Sequence, residues 1–173
     1  MALRLFKSGA KEYEKHLYND SQVLCSKDRM YVWEPHQKIE LPEEWLDKIR
    51  KEFIGEYMGI KFYSVDGEVL RDEIDDDFCS GGNNGRYKYT PEDEIWCENK
   101  TATDIMDVFV HEFVEMIQMI GNGKNYSDAH DFANKYEVYA RRHRDLKTFK
   151  DFTDFMDEFY LGNEKFKSLP KPD

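Results

Sequence analysis

Apolar positions along the chain alternate between stretches of helical and of strand period. Over 42–59, Trp45, Ile49, Phe53 and Tyr57 stand four apart, with Pro42 at the start, Glu43 and Glu44 in the first turn and Gly59 at the end. That spacing predicts a helix. The next residues, IKFYSVDGEV, set Ile60, Phe62 and Ser64 against Lys61, Tyr63 and Val65 and predict a strand or a hairpin turning at Asp66-Gly67. The run at 71–77 reads as a solvated acidic loop and SGGNNG at 80–85 as a turn or mobile loop. RYKYT and DEIWCE read as two short strands separated by a turn at Pro91.

The longest helical signal is 101–120, TATDIMDVFVHEFVEMIQMI, opened by a Thr or Asp cap and closed by Gly121 and Gly123. After a loop, a second helix is expected from a Ser127 or Asp128 cap through AHDFANKYEVYARRHR, its basic residues at the C-terminal end where the helix dipole favours them. Phe149, Phe152, Phe155, Met156, Phe159 and Tyr160 then mark a last helix with an aromatic core face. The elements predict a single α+β domain over 1–173, with its core in 41–143, an aromatic C-terminal helix in 144–161 and a tail in 162–173. There is no internal repeat to divide it.

Composition narrows the function. At 173 residues, with 40% hydrophobic and 15% aromatic residues, the chain can bury a core, which excludes global disorder. A formal net charge of −11 opposes nucleic-acid phosphate and anionic lipid, so neither nucleic acid nor a membrane is expected as a partner. The sequence has no apolar run of spanning length, and the first ten residues lack a secretory signal, so a soluble cytoplasmic protein is expected. Cys25, Cys79 and Cys97, odd in number and widely spaced, are read as thiols. No G-x-S-x-G elbow or phosphate-binding GK[ST] occurs, and His16 and His36 read as surface residues.

The informative text is VHEFVE. On a helix His111 and Glu115 lie one turn apart and about 40° around the axis, so both reach one point, and Glu112 flanks them. If the loop at 121–126 reverses the chain, His130 on the antiparallel neighbour supplies a third ligand. Three protein ligands and an open fourth position are what a hydrolytic zinc site requires.

These residues resemble zinc metallopeptidases of the zincin type, in the gluzincin layout where an HExxH helix is followed by a third ligand on a later helix. The resemblance runs from the strand ending near Trp96 or Cys97, through HEFVE, to AHDFAN. The family's second His is here Glu115 and its third-ligand Glu is here His130. The resemblance implies a zinc-dependent peptidase with His111, Glu115 and His130 on the metal and Glu112 as general base. Asn134 would orient a ligating His, and a peptide or protein would be the substrate. Iron or manganese also accept two His and one carboxylate. Tyr126, Tyr136, Tyr139 and Arg141 are available oxyanion donors, and an edge strand near 95–98 could take an extended peptide.

The competing readings are structural. Asp104, Asp107, His111, Glu115 and Gln118 fall within about 80° of arc, which a solvated stripe would also produce. The alternative function is a non-catalytic acidic interaction module, with or without a structural metal.

Overall fold

In the computed structural model, the structure describes residues 40–99 and 104–161. Helix α1, Glu43–Ile49, buries Trp45, Leu46 and Ile49. Strand β1, Arg50–Tyr57, follows at once and pairs antiparallel with β2, Ile60–Val65. The expected helix over 42–59 therefore ends at Ile49. A spacing of four is twice the strand period as well as near one helical turn, so it could not separate the two, and the β-hairpin partner decided. The turn lies at Met58 and Gly59, both left-handed at φ 53 and 79, which is where the glycine is needed. Asp66 and Gly67 are not that turn: the Asp66 carboxylate accepts from the Glu68 and Val69 N–H groups and caps the short helix α2, Gly67–Val69.

Helix α2 continues into a wide π turn, Leu70–Ile74, and the supposed solvated loop buries Asp75 and Asp77. The supposed mobile loop contains strand β3, Gly81–Asn83, fully buried. RYKYT forms turns rather than a strand, because the rings of Tyr87 and Tyr89 are drawn into the core, Tyr89 at 6.2 Å from Trp96. Strand β4, Glu94–Glu98, pairs parallel with β2 and antiparallel with β3, giving the order β1-β2-β4-β3. The stretch 95–98 is thus enclosed on both sides and is not an edge.

Helix α3, Ile105–Met116, is capped by Asp104 and runs on as a π turn, Ile117–Gly121. Helix α4, Tyr126–His143, is capped by Asn125, two residues before the expected cap. Helix α5, Phe149–Met156, opens on a Thr148–Asp151 capping box. Both faces of the sheet are covered. Phe62, Ile95 and Cys97 pack on the helical side with Phe109, Phe113 and Phe152. Val65 and Trp96 pack on the other side with α1, Phe78 and Tyr87. This is a mixed α+β fold, as the pattern predicts.

Among the described residues, no helix is long and apolar enough to cross a membrane. Cys97 is a buried free thiol, but Cys79 is disulfide-bonded, contrary to the expectation of thiols throughout. Sequence spacing carries no information on which sulfurs meet in space. Cys25, His16, His36 and the tail lie outside the described residues.

Candidate metal centre

The polar seam of α3 faces inward. Asp107, His111, Glu115 and Gln118 are all buried, Glu115 at 1% exposure, and only Asp104 is exposed. The solvated-stripe reading is therefore overturned: α4 and β3 cover the seam. Burying such groups is costly unless each finds a partner, so their partners define the site.

Helix α4 brings His130 to the pair on α3. His111 Nε2 lies 3.2 Å from Glu115 Oε2 and 3.0 Å from His130 Nδ1, and His130 Nδ1 lies 2.9 Å from the same Glu115 oxygen. The three residues form a group that could hold a metal ion. Tetrahedral zinc with bonds of about 2.0 Å to N and O has ligand-to-ligand edges of about 3.3 Å. A triangle with sides of 2.9, 3.0 and 3.2 Å is close to one face of that tetrahedron. The donor set and its spacing suit a divalent metal ion.

The other nitrogen of His111 is committed elsewhere: Nδ1–H donates to Glu137 Oε2 at 2.9 Å. A carboxylate there orients the ring and turns its Nε2 toward Glu115 and His130. Glu137 also pairs with Arg141, so Arg141 serves this carboxylate rather than a substrate oxyanion. Asn134 lines the same pocket, but Glu137 is the residue that holds the His111 ring. Glu137 sits two helical turns beyond His130, on the same face of α4, and that seven-residue spacing is the signal that could have revealed it.

Asn83 on β3 completes the inner wall. Its Nδ2 donates to Glu112 Oε2 at 2.8 Å and to Glu115 Oε1 at 3.0 Å, tying the two carboxylates together. Strand and helix approach closely because Gly81 has no side chain; a Cβ there would stand 2.6 Å from Glu112 Oε1. No periodicity in SGGNNG points to this contact.

A cavity of about 180 Å³ opens onto His111, Glu112, His130, Tyr126, Glu137 and Arg86. Tyr126 Oη lies 2.8 Å from His130 Nδ1, and its ring stacks on the imidazole at 5.1 Å. Of the other donors considered, Tyr136 is buried in the core and Tyr139 packs on Phe159.

The electrostatics follow from crowding carboxylates in a dry place. Burial alone would lower the His111 pKa, but its bonds to Glu115 and Glu137 outweigh this and carry it to about 10. Burial opposes the Glu115 charge too, yet His111 and His130 hold that carboxyl well below its ordinary range. Burial and the neighbouring Glu115 charge push Glu112 well above the ordinary range. The pocket therefore crowds ionisable groups together, with Glu112 the one carboxyl group among them whose proton affinity is raised.

The chain matches no known protein family, no curated protein and no solved structure.

Proposed function

We propose that the chain is a small zincin-like metallopeptidase that hydrolyses a peptide bond at the pocket between α3, α4 and β3. The observation that carries the reading is the convergence of His111 Nε2, Glu115 Oε2 and His130 Nδ1 to within 3.2 Å of one another, with Glu112 in the same pocket. A zinc ion held there supplies a water of lowered pKa and a Lewis acid for the amide carbonyl.

The remaining chemistry belongs to the protein. Glu112, with its raised proton affinity, takes the proton of the attacking water and passes it to the departing amine. One water is consumed, the C–N bond breaks, and a carboxylate and an amine leave. Asn83 keeps the Glu112 carboxylate turned toward the pocket. Tyr126, with its hydroxyl beside His130, donates to the oxygen on which negative charge develops. The edge strand beside the pocket is β3, and an extended peptide would lengthen the sheet there.

The test is Glu112→Gln. Peptidase activity against a mixed peptide library should vanish while zinc content stays at the wild-type level. Activity that persists in the variant would remove Glu112 from the mechanism.

A further inference from the structure

The pocket contains a cation that neither the proposed metal ligands nor the proposed base uses. Arg86 follows β3 and lines the cavity together with His111, Glu112 and Tyr126. Its guanidinium lies 4.4 Å from the centre of the Tyr87 ring and 5.2 Å from that of Tyr126, which fixes its plane. Burial would weaken its charge, but the two tyrosines, Glu115 and Glu112 raise its pKa further, so it is permanently charged. Yet the nearby carboxylates are bonded elsewhere: Glu115 to His111, His130 and Asn83, and Glu112 to Asn83. Among the described residues, the buried Nε of Arg86 has no hydrogen-bond partner.

A buried donor left unsatisfied is unfavourable, and a planar guanidinium is matched in shape and charge by a carboxylate or phosphate. The cavity, at about 180 Å³, has room for a terminal residue rather than a long side chain. Resting on the metallopeptidase reading above, we infer that Arg86 binds a carboxylate of the substrate beside the scissile amide, so that the enzyme prefers peptides whose cleaved residue carries a free carboxylate. That carboxylate is either the C-terminal α-carboxylate or an Asp or Glu side chain. The shared chemistry is the Arg86 fork, and Arg86 is the specificity-determining residue.

The experiment is calorimetric binding to the zinc-loaded full chain, after zinc stoichiometry has been measured for each variant. Three probes are compared: N-acetylglycine, which has an α-carboxylate; N-acetylglycinamide, which has none; and N-acetylaspartic acid α-amide, which has only a side-chain carboxylate. Wild type should bind at least one carboxylate probe tenfold or more tighter than the neutral amide, and the tighter of the two identifies the source. Arg86→Gln should erase that preference with one zinc per chain retained, and Arg86→Lys should restore part of it. Equal binding of all three probes by wild type overturns the inference, and this arm needs no variant to fold. A preference that survives in Arg86→Gln also overturns it, by placing the carboxylate on the zinc. Failure of wild type to take up zinc is a different result: it sinks the metallopeptidase reading itself and the inference with it.

Discussion

The Nδ1–H of His111 donates to Glu137 Oε2 at 2.9 Å, so a carboxylate on α4 dictates which nitrogen of a histidine on α3 faces Glu115 and His130. Replacing a carboxylate in this position weakens metal binding about 10- to 100-fold in comparable sites. Glu137→Gln keeps the shape and an acceptor but loses the charge. Zinc affinity measured by competition with a chelator should fall within that range, and an unchanged affinity would show that the ring needs no such support.

The Asn83 amide donates to both Glu112 and Glu115. Asn83→Ala leaves two buried carboxylates short of a donor, an arrangement that costs about 1–3 kcal/mol per unsatisfied group. Urea denaturation should report a loss of that order. The peptidase rate should fall through kcat more than KM, because Glu112 is no longer held. A variant as stable and as active as wild type would count against the bridge.

Gly81 tests the closeness of β3 to α3. In Gly81→Ala the added methyl would stand 2.6 Å from Glu112 Oε1, so either the carboxylate swings away or the strand shifts. Activity should drop while zinc stoichiometry stays at one per chain. Full activity would mean that the Glu112 position is not set by this contact.

Asp75 predicts a pH dependence away from the pocket. Burial raises its carboxyl from 3.8 to about 6, although the Asp77 N–H and Tyr89 hydroxyl donate to it. A group that holds its proton more tightly when folded stabilises the fold below its unfolded pKa, and that contribution is lost as pH rises through the folded pKa. The wild type should therefore lose stability relative to Asp75→Asn between pH 4 and 7, by on the order of 2 kcal/mol. Parallel pH profiles of the two proteins would refute the assignment.

The sequence reveals the centre of the site better than its walls. His111 and Glu115 are one helical turn apart, and a short glycine-containing loop returns the chain, so the meeting with His130 follows from local geometry. Glu137 was also within reach of helix periodicity. Asn83, Gly81 and Arg86 were not, since they come from a turn-rich segment whose place is fixed only by pairing of β3 with β4. The same limit explains β1: Trp45, Ile49, Phe53 and Tyr57 satisfy a helix and a strand equally, and only the non-local hairpin with β2 chooses between them. The fold class was legible because it needs only element types, whereas the walls of the pocket need register.

The most direct test of the central claim is an equilibrium zinc titration of the metal-stripped 173-residue chain, read as bound zinc per chain and as melting temperature. The account predicts one tightly held zinc and a rise in melting temperature, since a ligand at a hundredfold excess over its Kd adds about 2.7 kcal/mol to folding stability. Both effects should be lost in His130→Ala. No zinc uptake by wild type, or uptake that is indifferent to His130, would contradict it.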